Sequence, residues 1–107
     1  MPNSLIGPIG PYDYVNPLTG ATLVAVQGLG SFIIDPAGEL AQVTVTVPPY
    51  PSDGQIFGIS TTKVIDALTV NAPVGQLLVG GGPFMLSADG GISFRYVAAQ
   101  NTWYRLT

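Results

Sequence analysis

The side chains able to do acid–base or nucleophilic chemistry are few in this 107-residue chain. It has no His and no Cys, which excludes imidazole and thiol catalysis, zinc sites and disulfide bonds. The remaining groups are six carboxylates and one lysine: Asp13, Asp35, Glu39, Asp53, Asp66, Asp89 and Lys63. General acid–base catalysis needs a positioned partner group, and no spacing in the sequence defines one. We therefore predict that the chain is not an enzyme and that it binds no metal and no cofactor.

The aspartates fall into two kinds of sequence context. Asp35, Asp53 and Asp89 each stand beside Pro or Gly in a turn-like segment, where an Asp side chain commonly bonds the backbone two residues further on. Asp66 lies inside a strand-like run, so it is expected on a wet face, at a bulge or in a pair. The sharpest of these hypotheses is an ion pair with Arg95 or Arg105 across a subunit interface.

Two glycine-rich segments have the spacing of turns and not of nucleotide-binding loops. Gly80-Gly81-Gly82-Pro83 lacks the Lys and the following helix of a phosphate-binding loop. Gly28-Leu29-Gly30 lacks the third glycine and the helix of a dinucleotide fingerprint. No loop is dense enough in Asp and Asn to hold calcium. We predict turns or bulges at both places.

The charge content limits the partners. Charged residues make up 8% of the chain, against about 25% in a typical soluble domain. The three cations, Lys63, Arg95 and Arg105, are too few and too scattered for a row of phosphates or an anionic membrane. We therefore predict no binding to nucleic acid or to membranes. So little charge on a surface favours burial of part of it in an assembly.

Residues 1–20 are predicted to form an extended arm. Seven Pro and Gly residues interrupt this segment, so neither a helix nor an inner strand can run through it. Its apolar side chains are Leu5, Ile6, Ile9, Tyr12, Tyr14 and Val15. Such side chains suit an arm that lies on another protein, and equally an arm folded back on its own domain. The start of the chain lacks the basic segment and the long apolar segment of a signal peptide. Synthesis and folding in a cytoplasm are therefore expected.

Residues 21–107 are predicted to form one β domain. Short apolar or alternating runs stand between turn signals, at 21–27, 31–34, 39–47, 55–60, 64–71, 76–79, 84–86, 92–98 and 102–106. Turn signals at these intervals predict an all-β, antiparallel β-sandwich or barrel of the jelly-roll kind. We find no internal repeat of solenoid length. Ala88-Asp89-Gly90-Gly91 is expected to form a hairpin turn.

Aromatic residues on the predicted strands could stack on sugars or bases, although strand aromatics more commonly belong to a core. Trp103 and Tyr104 lie next to each other on the last strand. Successive side chains of a strand point to opposite faces, so at most one of the two enters the same core.

Five segments in the second half of the chain form a distinctive pattern: Asp53-Gly54-Gln55-Ile56-Phe57, Ile65-Asp66-Ala67-Leu68-Thr69-Val70, Gly75-Gln76, Gly90-Gly91-Ile92-Ser93-Phe94-Arg95-Tyr96-Val97 and Asn101-Thr102-Trp103-Tyr104-Arg105-Leu106. Together they resemble a β-domain of structural proteins in tailed bacteriophages. They cover residues 51–107, and the ending is the most specific part.

This resemblance implies a small all-β virion protein, made in the cytoplasm of the host bacterium. The first hypothesis is a capsid decoration or cement protein that binds the major capsid protein on the outside of the shell, as a trimer or similar homo-oligomer. The apolar side chains of the arm would then dock on the shell, while Trp103, Tyr104 and Arg105 would make core or oligomer contacts. The alternative is a domain associated with a head or tail fibre that binds host glycans or a receptor.

Overall fold

Ten short β-strands in two sheets make up the computed structural model, which describes residues 11–107. The strands are β1 (Tyr12–Val15), β2 (Ala21–Val24), β3 (Ser31–Ile34), β4 (Leu40–Thr46), β5 (Ile56–Thr61), β6 (Ile65–Asn71), β7 (Leu77–Val79), β8 (Phe84–Leu86), β9 (Gly91–Val97) and β10 (Thr102–Arg105). A 3-10 turn, Ala98–Gln100, links β9 to β10. The predicted all-β class is confirmed, and nine of the ten strands overlap a predicted run.

The chain crosses from one sheet to the other after almost every strand. The larger sheet has the order β1-β3-β5-β9-β10-β7, and the smaller sheet has the order β2-β4-β6-β8. Strands β1, β3 and β5 run parallel to one another, and so do β2, β4 and β6. Within β1–β6, each odd-numbered strand and the even-numbered strand after it therefore form one coil. The three coils stack in a solenoid-like arrangement.

The predicted antiparallel sandwich or barrel is wrong for these three coils. Alternation of apolar residues indicates which face of a strand is buried, but it does not indicate the direction of the neighbouring strand. Tyr12, Ser31 and Gly58 occupy matching positions in successive coils, at intervals of 19 and 27 residues. Because the intervals are unequal, the sequence has no fixed period that would indicate the repeat.

Antiparallel pairing is confined to the last part of the chain. Strand β8 pairs with β6, β9 with β5, and β10 with β9. The predicted hairpin at residues 88–91 is wrong because β8 and β9 lie in different sheets, although Asp89 has the positive φ expected of that turn. The hairpin lies instead between β9 and β10, where Asn101 adopts a left-handed conformation with φ of 51°.

The core lies between the two sheets and is almost entirely apolar. Alternate residues of the central strands are buried there, including Phe32, Ile34, Val43, Val45, Phe57, Ile59, Leu68, Phe94 and Trp103. The rings of Phe32 and Phe57 meet edge to face, with centroids 5.8 Å apart. Burying a large apolar side chain contributes about 1.5–3 kcal/mol, so this layer is the main source of stability.

Part of the predicted arm belongs to the folded domain. Tyr12–Val15 form β1 at the edge of the larger sheet, and β1 pairs with β3. Of the two alternatives for the arm, this stretch lies on its own domain. Three of the predicted docking side chains, Leu5, Ile6 and Ile9, lie outside the described residues, and their role stays a prediction.

Candidate binding face

The outward-facing side of the larger sheet, here called the outer face, carries almost no charge. Its residues, read from strand register and alternation, are Tyr12, Tyr14, Ser31, Ile33, Ile56, Gly58, Ser60, Leu77, Val79, Gly91, Ser93, Arg95 and Tyr104. Arg95 is the one charged residue in this set. A face of this kind can bind by shape, apolar contact and neutral hydrogen bonds, but it offers no pair of groups for proton transfer.

The middle of the outer face is a shallow, open depression. It has a volume of about 310 Å³ and is lined largely by small residues of β3, β5 and β9: Ser31, Gly58, Ser60, Gly91 and Ser93. Thr107 closes one side, because its hydroxyl accepts a hydrogen bond from the Ser93 N–H at 3.1 Å. The small side chains leave backbone and hydroxyl groups within reach of a partner.

Larger side chains border this depression on two sides. On the β1 side stand Tyr12 and Tyr14, which are 63% and 57% exposed. On the opposite side stand Leu77, Val79 and Tyr104, of which the tyrosine is 36% exposed. Tyr combines a large apolar ring with a polar tip and is enriched at interfaces. The outer face therefore has an uncharged centre, a tyrosine border on one side and a mixed aliphatic and aromatic border on the other.

A group of polar side chains holds β1 in place at one corner of the solenoid; we call it the corner cluster. The Asp35 carboxylate accepts hydrogen bonds from the Tyr14 hydroxyl and from the Thr62 hydroxyl, the latter at 2.6 Å. Asn16 donates to the Asp35 carbonyl at 2.7 Å. These residues follow or end β1, β3 and β5, so the corner cluster joins all three coils.

The two hydroxyl donors of the corner cluster favour the ionised carboxylate. The hydrogen bond from Thr62 and then that from Tyr14 hold the pKa of Asp35 below its ordinary value. The turn-like sequence around Asp35 predicts a hydrogen bond to its own turn, but the side chain instead reaches the neighbouring coils. Only the coil repeat brings Asn16, Asp35 and Thr62 to matching positions, and that repeat was not recognised.

Asp66 and the arginines predicted to form an ion pair with it across a subunit interface lie on different sheets within one chain. Asp66 is exposed on β6 of the smaller sheet, within a stretch where the pairing of β6 with β8 is irregular. Asp66 therefore lies on a solvent-exposed face and also at a pairing irregularity, which match two of its three predicted environments. Arg95 is exposed on the outer face of the larger sheet.

The structure places Trp103 in the core and Tyr104 on the outer face. The indole of Trp103 is fully buried, contacts Tyr96 at 5.4 Å between ring centroids, and donates a hydrogen bond to the Gln76 side chain at 2.9 Å. Its neighbour Tyr104 points away from the core, as strand alternation requires. Trp103 is therefore a core residue, and Tyr104 is an exposed residue of the outer face.

Arg105 closes the open end between the sheets. Its guanidinium lies 4.1 Å from the centre of the Phe84 ring, and its aliphatic stem passes over Gly80, where a Cβ would overlap it. The glycines that follow have a related role, since a Cβ at Gly81 would overlap the Val70 carbonyl oxygen. The triple glycine therefore allows close approach of backbone and side chain at this end.

Within residues 11–107, no group of three or more carboxylates is placed to hold a metal ion. Over the same range, no helix is long and apolar enough to cross a membrane. No family model matches the chain, and no curated protein is significantly similar to it. The assignment of a function therefore depends on the chemistry of the outer face and on the resemblance described above.

Proposed function

We propose that this chain is a structural protein of a tailed-bacteriophage particle, a decoration protein that binds the major capsid protein on the outside of the shell. The observation that carries the proposal is the outer face, which is uncharged apart from Arg95 and bordered by exposed tyrosines. Interface cores are depleted in charge and enriched in Tyr, so this composition supports a contact surface.

The size of the outer face supports binding to a repeated surface. Six strands of about five residues cover roughly 25 by 17 Å, or about 400 Å², from the standard strand spacings. A stable pairwise interface needs about 800 Å² on each partner. A face of half that size binds weakly alone, but an oligomer that engages several of the identical sites on a shell binds with a higher overall affinity.

The test is binding to purified shells of the phage that encodes the chain. Ser60 is exposed in the depression, and Ser60→Arg would place a long charged side chain across it. The matched control is Thr22→Arg, at an exposed position on the smaller sheet. We expect Ser60→Arg to abolish co-sedimentation with shells and Thr22→Arg to leave it unchanged. Undiminished binding by a folded Ser60→Arg variant would show that the outer face is not the contact.

One observation favours the second candidate, a fibre-associated domain that binds host glycans. Tyr12 and Tyr14 are exposed beside a depression lined by the hydroxyls of Ser31 and Ser60. Sugar rings stack on aromatic side chains, and their hydroxyl groups pair with small polar side chains. Binding to host surface glycans that is lost in Tyr12→Ala, together with no binding to shells, would favour this function over decoration.

A further inference from the structure

The larger sheet ends in two strands with unpaired edges among the described residues. At one edge, the Val15 carbonyl accepts a hydrogen bond from the Asp35 N–H, so alternation turns the main-chain groups of Tyr12 and Tyr14 outward. At the other edge, the Leu77 N–H donates to the Asn101 carbonyl, which leaves the main-chain groups of Leu78 outward. Such edges are templates for the addition of another strand.

One charge lies on or next to each edge, on the side that faces the smaller sheet: on β1 itself at one edge, and on β10, the neighbour of β7, at the other. On β1 this charge is Asp13, which is exposed and stands in register with the buried Phe32. Near β7 it is Arg105, whose stem passes over Gly80 and whose guanidinium lies on Phe84. An inward-facing charge on an edge strand disfavours addition of any strand that lacks the opposite charge.

These charges discriminate between the possible pairings of two copies. Pairing β1 with β1 would bring two Asp13 carboxylates together, and like charges side by side are unfavourable. Pairing β7 with β7 keeps the two Arg105 side chains three strand spacings apart, about 14 Å, and gains no ion pair. Pairing β1 with β7 brings Asp13 close to Arg105 and is the combination in which the edge charges attract.

We propose that copies of this chain associate head to tail, with β1 of one copy added to β7 of the next. The larger sheet then continues from copy to copy, and Asp13 pairs with Arg105 of the neighbouring copy. The smaller sheet adds to the contact, because its edge strands β2 and β8 expose Val24 and Met85, which are 63% and 61% accessible. A head-to-tail contact generates a closed ring or an open filament.

The proposal goes beyond the proposed function, since it involves only the chain's own edges. Loss of shell binding leaves it standing, and loss of self-association removes the avidity of an oligomer but leaves the outer face of each copy able to bind.

The first experiment is charge reversal followed by light scattering and sedimentation over a concentration series. We expect the wild type to associate, and Asp13→Lys and Arg105→Glu each to weaken association at least about tenfold, since like charges at an interface cost several kcal/mol. The double variant Asp13→Lys/Arg105→Glu and an equimolar mixture of the two single variants are expected to recover it. A wild type that is monomeric throughout, or a folded double variant without recovery, overturns the proposal.

A second experiment does not depend on the fold of the Arg105 variant. The chain has no Cys, so single cysteines can be introduced without background. Tyr12→Cys marks the β1 edge and Leu77→Cys marks the β7 edge. We expect mixed oxidation of the two variants to give mainly the Tyr12–Leu77 cross-linked pair. A preference for cross-links between identical variants would overturn the head-to-tail contact.

Discussion

The two sheets share one winding of the chain but present different outward surfaces. On the smaller sheet, Thr22, Thr44 and Thr69 stand side by side across three parallel strands. In the corresponding middle part of the larger sheet, Ser31 stands beside Gly58, and Gly58 beside Ser93. The first row is built from branched side chains and the second from the smallest side chains available.

This difference separates a tightly packed surface from one that leaves its backbone accessible, as the proposed contact requires. Branched threonines pack against cross-strand neighbours and cover the backbone, which stabilises a sheet. Thr44 and Thr69 are accordingly half-buried. Serine and glycine give up part of that packing and leave a depression of about 310 Å³. The larger sheet is therefore the one on which a partner can come close to the backbone.

The largest effect is expected from removing the side chain that supports the larger sheet from inside. Trp103→Ala should lower the free energy of unfolding by about 3–5 kcal/mol, because it leaves a cavity beneath β10 and the hydrogen bond acceptor of Gln76 unpaired. Urea denaturation followed by far-UV circular dichroism measures this change. Tyr104→Ala is the matched control on the outer face, and it should cost less than a third as much. Equal losses for the two variants would contradict the assignment of opposite roles.

A smaller effect is expected when a glycine on the outer face of the larger sheet is replaced by threonine, the residue type that lines the smaller sheet. A Cβ at Gly58 would lie 3.8 Å from its nearest neighbours, which is ordinary contact, so the backbone leaves room for a side chain to begin there in Gly58→Thr. Because threonine favours strands and glycine does not, the free energy of unfolding should rise by up to about 1 kcal/mol. Binding to shells should fall at the same time.

The control for that exchange is Thr69→Gly on the smaller sheet. It should lower stability by a similar amount and leave shell binding intact. Unchanged shell binding by a folded Gly58→Thr variant would show that the depression has no part in contact.

The smallest effect concerns the corner cluster and depends on pH. The pKa of Asp35 is held low in the folded chain by hydroxyl donors. Its contribution to stability is therefore present above the ordinary Asp pKa and is lost as pH falls through the lowered value. Asp35→Asn should reduce the melting temperature by a few degrees near neutral pH, and the difference from the wild type should shrink below about pH 4. A difference that grows on acidification would contradict the assigned hydrogen bonds. Asp89→Asn, in a turn away from the corner cluster, is the control.

The positions of the strands could be predicted from sequence, whereas their partners could not. Strands β3 and β8 have the predicted bounds, because turn residues mark both of their ends. Strand direction depends on where the chain goes between strands, and coils of unequal length conceal that path. The aromatic border of the outer face was partly foreseen through Tyr12 and Tyr14. The centre of the outer face could not be predicted. Ser31, Gly58 and Ser93 are ordinary residues in the sequence, and only the strand register brings them together.

The way β1 is held has a consequence for acid conditions. Only Val15 packs this strand against the core, and Tyr14 and Asn16 join it to Asp35 at the surface. Protonation of that carboxyl weakens its bonds with the Tyr14 and Thr62 hydroxyls, while the main-chain pairing of β1 with β3 and the bond from Asn16 stay in place. As the edge strand with the least core packing, β1 should exchange its amides with solvent before β3 or β5, and more so in acid. Each opening of β1 turns β3, with its apolar Phe32 and Ile34, into the border of the sheet, and an unpaired apolar border of this kind is a template for aggregation.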